Sequence, residues 1–372
     1  MSKRSVAVAA VALSFLVTAA VAVALWPDRD AADESPDNTV EQVSAASAPE
    51  LEEETESGTT TDALDEAPPG AVETAGAAVP LEADTQFSLQ PIPETPPVQV
   101  RLKRPPSTGV LFDVDSGEVL WERRATAPRP IASLTKLMTA LLVAEREKPS
   151  EQVLVSVKAG HTPGSATGLL PEGKAVPLEP LLQALIMISA NDAAVALAEH
   201  HSGSAQAFIK EMNRRAAGMA LGCTHFSTPN GLRDHGNHAC ALDVAALARA
   251  DLADKRIARI ARTRYAKPAF PIKGGRLHLA NNHYFLQRGL AGVPGAEVTG
   301  LKTGLTDAAG RCYVTTARLG STHLGVVLLG SPDPLRQVPL LLRLGFEEAG
   351  ELQPLPPPKR PSRATRDRPP VG

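Results

Sequence analysis

Residues 99–350 of this 372-residue chain predict an α/β (α+β) domain, an antiparallel sheet closed by strands from both ends of the segment with helices between. Three observations carry that reading. "GVLFDVDSGEVLWERR" (109–124) holds two β-rich runs around Asp115-Ser116-Gly117, a hairpin signal. "GAEVTGLKTGLTDAAGRCYVTTARLGSTHLGVVLLGS" (295–331) holds three more runs joined by Asp/Gly turns. Between the two, apolar residues recur at helical spacing.

The helices follow in order. "PIASLTKLMTALLVAE" (130–145) begins near Pro130 and is apolar except for polar residues near its start. "VPLEPLLQALIMISANDAAVALAEHHSG" (176–203) gives two helical runs, interrupted at Ser189-Ala190-Asn191 and stopped by Gly203. "AQAFIKEMNRRAAGMALG" (205–222) and "ALDVAALARADL" (241–252) supply two more. Trp121 reads as strand packing, and His200 and His201 as a solvated helix end. Asp192 either shapes the rim of a site or caps the helix that follows it.

The flanks differ in kind. Residues 5–26 are uncharged and apolar behind Lys3 and Arg4, and as a helix would be roughly 33 Å long, enough to cross a bilayer. Length, flanking charge and Trp26 favour an anchor over a cleaved signal peptide, giving 1–26 as a single-pass segment. Either way the remainder is exported. Residues 27–98 hold eighteen acidic residues and one basic one, with few large apolar side chains, and predict a disordered tether. Residues 351–372 predict a Pro/Arg-rich tail.

Residues 99–350 contain 30 Lys and Arg against 21 Asp and Glu, a net charge of +9 that the acidic stretch hides. Basic residues are not interleaved with aromatic ones, and export argues against nucleic acid; an anionic extracellular polymer suits the charge better. Cys223 and Cys240 flank a polar loop and predict a disulfide, leaving Cys312 as a buried thiol. His225, His235 and His238 lie in the same loop, but the spacing matches no standard zinc finger.

Ser133 and Lys136 fall one helical turn apart on one face. A serine hydroxyl needs an adjacent base, and lysine serves as one only where burial and nearby cations lower its pKa. Ser-x-x-Lys alone is a weak signal. Two further motifs strengthen it: Ser189-Ala190-Asn191 at a helix break, and Lys302-Thr303-Gly304 on a strand before a turn. This order is that of the serine penicillin-binding proteins and class A β-lactamases.

With "GEVLWERRATAPRPIASLTKLMTALLVAE", "MISANDAAVALAEHHSGS", "STPNGLRDHGNH" and "GLKTGLTDAAGRCYVTTA", residues 105–348 resemble the D-alanyl-D-alanine carboxypeptidase family of low-molecular-mass penicillin-binding proteins. The resemblance implies a β-lactamase/transpeptidase-like fold, an antiparallel sheet flanked by helices plus a helical subregion. It implies removal of the terminal D-Ala from peptidoglycan stem peptides through an acyl-enzyme, without metal or cofactor, and covalent inhibition by β-lactam antibiotics. Carried over, Ser133 is the nucleophile, Lys136 its proton acceptor and Ser189 a relay to the leaving amine. Asn191, Lys302, Thr303 and Gly304 bind substrate, the amides of Ser133 and Leu305 form the oxyanion hole, and Arg336 is a second carboxylate contact. A class A β-lactamase would also need a deacylating glutamate, and none occurs from Met212 to Ala296. A catalytically idle scaffold is the non-enzymatic alternative.

Overall fold

A computed structural model describes residues 84–232 and 236–354. The apolar segment 5–26, most of the tether, His235 and the tail from 355 lie outside the described residues. Strands β1 (Thr108–Asp113) and β2 (Val119–Arg123) form the first hairpin, followed by β3 (Arg129–Pro130), a 3-10 turn (Ala132–Thr135) and α1 (Lys136–Arg146). A helical region then runs through β4 (Gln152–Leu154), α2 (Val157–Gly160), β5 (Ala175–Pro177), α3 (Leu178–Met187), α4 (Asn191–Ser202) and α5 (Ala205–Gly218). The chain returns through β6 (His238–Ala239), α6 (Ala241–Ala253), α7 (Lys255–Ala261), β7 (Tyr265–Ala266), β8 (Leu279–Ala280) and α8 (Tyr284–Arg288). It ends in β9 (Glu297–Thr306), β10 (Gly310–Leu319), β11 (Thr322–Leu329) and α9 (Pro334–Glu348).

The main sheet has the order β2-β1-β11-β10-β9, and each of its neighbouring pairs is antiparallel. Strands from both ends of the domain therefore meet at the β1–β11 pair, as the two hairpin signals require. Both faces of the sheet are covered. Val110 and Phe112 of β1 enter a large core shared with α1, α3, α4 and α6, while Leu111 enters a second core under α9. The period-2 alternation of a strand sorts neighbouring apolar residues into two cores. It also explains why β11 reads as an almost unbroken apolar run. Phe112 is fully buried and stands opposite Gly325, its ring in the space that a Cβ there would need. Its burial contributes about 2–3 kcal/mol.

The ordered domain is longer than expected. Residues 84–98, assigned to the tether on composition, are packed: Phe87, Leu89 and Ile92 lie on the large core and Val98 is buried in the second. The buried guanidinium of Arg249 donates to the carbonyls of Phe87 and Ser88 (2.8 and 2.7 Å) and to those of Val114 and Asp115. A few apolar residues at the end of a long acidic stretch escape an average over the whole of it. At the other end Glu351 accepts from Ser321 and Thr322, and Leu352 packs on the second core.

Cys223 and Cys240 are disulfide-bonded. Such a closure stabilises the fold by about 3 kcal/mol in the chain-entropy picture. Cys312 is buried, its thiol facing the carbonyls of Pro130 and Ala309. Trp121 packs in β2 as expected. Among the described residues no helix is long and apolar enough to cross a membrane.

Candidate active site

Helix α1 runs through the large core, with Leu137, Met138, Ala140, Leu141 and Val143 buried. That burial draws its first residue inward, so Lys136 is only 1% exposed. The preceding turn is tight. Ala132 has φ 49°, the left-handed region that a non-glycine residue adopts only when its surroundings enforce it. Here Thr135 Oγ1 donates to Ala132 O (2.9 Å), and Gly231 lies so close to that carbonyl that a Cβ would collide with it. The result aims the Ser133 side chain at the lysine.

Lys136 Nζ lies 3.0 Å from Ser133 Oγ, 2.7 Å from Asn191 Oδ1 and 2.6 Å from Asn230 O. All three neighbours are neutral. Burial, reinforced by the charge of Lys302 and opposed by Asp192, pushes the Lys136 pKa well below the usual lysine range.

The second wall element is the break between α3 and α4. Ser189 has φ 61° and a buried hydroxyl with no hydrogen-bond partner among the described residues. Asn191 begins α4; its Oδ1 accepts from Lys136, and its Nδ2 donates to Pro163 O (2.9 Å). Asp192 serves both expected roles, accepting from the Ala193 amide in the first turn of α4 (2.7 Å) and from the adjoining loop. Its carboxylate accepts from the amides of Thr167 and Gly168 and from the Thr167 hydroxyl, pinning the loop in front of Asn191.

The opposite wall is β9, the edge strand. A Cβ on Gly304 would stand 3.0 Å from Ser133 N, 3.1 Å from Ala132 Cβ and 3.2 Å from Ile131 O. Only a residue without one lets the strand approach the nucleophile turn this closely. Gly304 thus brings β9 against the turn that carries Ser133. Lys302 is 2% exposed and donates to Thr303 O (2.9 Å), and burial lowers its pKa to about 7. The three motifs, far apart in the chain, converge on one cleft.

A family profile described as D-alanyl-D-alanine carboxypeptidase matches residues 102–333. The chain belongs to the D-alanyl-D-alanine carboxypeptidase family. It is 32% identical over 249 residues to the D-alanyl-D-alanine carboxypeptidase DacF of Bacillus subtilis, covering 65% of this chain and 62% of that protein. It is also 27% identical to a D-alanyl-D-alanine endopeptidase of Pseudomonas aeruginosa, covering 77% of this chain and 91% of the relative. A solved D-alanyl-D-alanine carboxypeptidase from Mycobacterium tuberculosis superposes with a TM-score of 0.62 at 29% identity, over 72% of this chain and 98% of that one. The chain thus spans about three fifths of the length of the Bacillus relative.

Not every expected residue of this carboxypeptidase-family cleft is in place. Arg336 sits in the first turn of α9, its side chain 87% exposed and 3.8 Å from Asp333. Helix α9 itself packs mainly on β11 and β10. Other members of the site were missed from sequence. Asn230 acts through its main-chain carbonyl, and Thr139 Oγ1 donates to Pro229 O (2.7 Å), fixing the same turn. The Pro-Asn-Gly run at 229–231 was the available signal.

His201 also departs from expectation. It is buried, with Glu147 Oε1 3.0 Å from Nδ1 and Glu211 Oε2 3.4 Å from Nε2, and burial is the main cause lowering its pKa. Nearby, Glu147, Glu151 and His200 place donor atoms within 4.8 Å of one another, a grouping that could hold a metal ion outside the cleft. Glu151 already accepts from the Lys148 amide and lies 3.0 Å from the His200 ring, contacts that hold its pKa at about 2. Of the histidines weighed for zinc, His225 and His238 pair through their backbones with stacked rings, and the two cysteines beside them are in the disulfide.

Proposed function

We propose that this chain is a serine-type D-alanyl-D-alanine carboxypeptidase, releasing the terminal D-Ala from peptidoglycan stem peptides through an acyl-enzyme. The observation that carries the proposal is the set of distances around Lys136. A neutral amine has two N–H donors and one lone pair. The two short contacts, to Asn191 Oδ1 (2.7 Å) and Asn230 O (2.6 Å), take both donors. The lone pair then faces Ser133 Oγ at 3.0 Å and can accept its proton.

The steps follow from that arrangement. Ser133 Oγ attacks the carbonyl carbon of the penultimate residue while its proton passes to Lys136. The oxyanion forms between the amides of Ser133 and Leu305. The peptide C–N bond breaks, and the leaving D-Ala amine takes a proton relayed by Ser189, whose unpartnered hydroxyl suits that role. Water then cleaves the ester and restores the Ser133 hydroxyl. Asn191 holds the substrate amide, and Lys302 and Thr303 hold the terminal carboxylate. Arg336 joins them only if its side chain leaves Asp333.

β-Lactams enter as covalent inhibitors, because the chain carries no glutamate between Met212 and Ala296 to deacylate them quickly. The same absence disfavours a β-lactamase, and the intact motifs disfavour an idle scaffold. The substrate places the domain on the extracytoplasmic side, with residues 5–26 as its membrane anchor. D-Ala release from a short D-Ala-D-Ala peptide tests the proposal: the full chain releases it, and Ser133→Ala falls to background. Wild-type turnover by Ser133→Ala would end it.

A further inference from the structure

The positive charge of the domain is concentrated in one place. From Lys255 to Arg288 the chain carries nine Lys and Arg and no Asp or Glu. Arg256 and Arg259 pair with Glu179. The other seven have no ion-pair partner among the described residues. Lys267, Lys273, Arg276 and Arg288 are all exposed.

The local structure turns this run into a surface. Tyr265 pairs with Ala280, and Ala269 bridges Arg276, so residues 265–280 form one hairpin. Its inward face buries Phe270, Leu277 and Leu279. By the alternation of paired strands, its outward face carries Tyr265, Lys267, Arg276 and His278, all exposed. From Tyr265 to the tip near Pro271 this face is roughly 20 Å long, at about 3.3 Å per residue.

The hairpin also adjoins the cleft. Asn282 N donates to Met187 O (2.8 Å), two residues before Ser189. On the other side α7 and α8 pack against β9, with Ala261 Cβ 3.0 Å from the position a Cβ on Gly300 would take, two residues before Lys302. The basic segment therefore bridges the two catalytic walls and extends outward from them.

We propose that this face is an extended docking surface for polymeric peptidoglycan, whose neighbouring stem peptides present repeated free carboxylates. The inference rests on the proposed carboxypeptidase reading and adds which form of the substrate is preferred. The cleft alone can hold one D-Ala-D-Ala end. Exposed cations without ion pairs, Lys267 and Arg276 on this face, Lys273 at its tip and Arg288 on the adjoining α8, gain only from a ligand that offers several anions beyond the cleft. Each exposed charge contributes little by itself, and the field they make together falls off over a Debye length of about 8 Å at physiological ionic strength.

The test compares two fourfold neutralisations of the full chain with equal change in net charge. One, K267Q/K273Q/R276Q/R288Q, removes the two cations of this face, the one at its tip and the one on the adjoining α8. The other, R101Q/K103Q/K148Q/K210Q, removes exposed cations elsewhere. Circular dichroism and Tm establish that both are folded, and the charge-conserving K267R/K273R/R276K/R288K variant guards against a packing effect. The expected result is a KM for D-Ala release from sacculi about tenfold higher in the first variant only, reversed in the charge-conserving one, with kcat/KM on a short peptide unchanged. Salt-sensitive co-sedimentation with sacculi should weaken in parallel, including with sacculi stripped of phosphodiester polymers. Equal effects of the two neutralisations, no effect of the first, or binding lost on stripping the phosphodiesters would overturn the proposal. If the unaltered chain releases no D-Ala from any substrate, the carboxypeptidase reading fails by itself, and co-sedimentation still decides the surface.

Discussion

The two walls of the cleft each bury a lysine, and they treat it differently. On the helical wall, Lys136 has three neutral partners at 2.6–3.0 Å, one of them the Ser133 hydroxyl. On the strand wall, Lys302 has one described acceptor, the carbonyl of Thr303. Both pKa values are lowered by burial, but Lys136 carries the further burden of the Lys302 charge. On the proposed reading this asymmetry divides the work. A lysine whose donors are already used is suited to accept a proton, and one with donors to spare is suited to hold a carboxylate. Burial alone would not have separated them.

The largest effect is expected from Lys136→Arg. Arginine keeps the charge but does not release its proton near neutral pH. D-Ala release should fall by at least about a hundredfold, the usual loss with a general base, while a lower Tm reports only the cost of housing the larger, permanently charged guanidinium at this buried position. Near wild-type turnover would remove Lys136 from proton transfer.

A smaller loss is expected from closing the gap between the walls. Gly304→Ala sets a methyl 3.0 Å from Ser133 N, tighter than the strand can accept without shifting. Overpacking of this kind costs about 1–3 kcal/mol. Steady-state kinetics should show kcat/KM about tenfold lower, with a modest drop in Tm. An unchanged kcat/KM would mean that the close approach of β9 to the nucleophile turn does not matter.

The finest test is pH. Lys302 is charged below about 7 and loses its charge as pH rises through that value, so its grip on a carboxylate weakens on the alkaline side. Lys136 works in the opposite sense, becoming competent as it deprotonates. The kcat/KM profile should therefore be a bell with Lys302 setting its alkaline limb. Lys302→Arg should move that limb to higher pH with little change near neutrality. An alkaline limb indifferent to that substitution would assign it to another group.

How far the sequence disclosed this cleft depends on the atoms used. The roles proposed for Ser133, Lys136, Ser189, Asn191 and Lys302 use their side chains, so motif spacing exposes them. Asn230 acts through a carbonyl and Gly231 through having no Cβ, and neither leaves a side-chain signature. The strands β1, β2, β9, β10 and β11 were legible because apolar runs are punctuated by Asp/Gly turns. The stretch 255–288 was not. Its helix α7 spans seven residues, and its hairpin hides an apolar alternation beneath its cations. Helix α9 carries Pro339 in its interior, a residue that argues against a helix until the packing on β11 is known. The exposed position of Arg336 went unread for the same reason.

Trapping the acyl-enzyme shows whether Ser133 is a nucleophile activated by a neutral Lys136. A β-lactam resembles the D-Ala-D-Ala end, and its ring-opened leaving group stays attached, obstructing the water that would release it. Intact-mass analysis and peptide mapping after brief exposure to penicillin give the answer. A single adduct is expected on Ser133, persisting for minutes or longer and not forming in Lys136→Arg. An adduct on another residue, or rapid acylation of Ser133 in the arginine variant, would contradict that assignment.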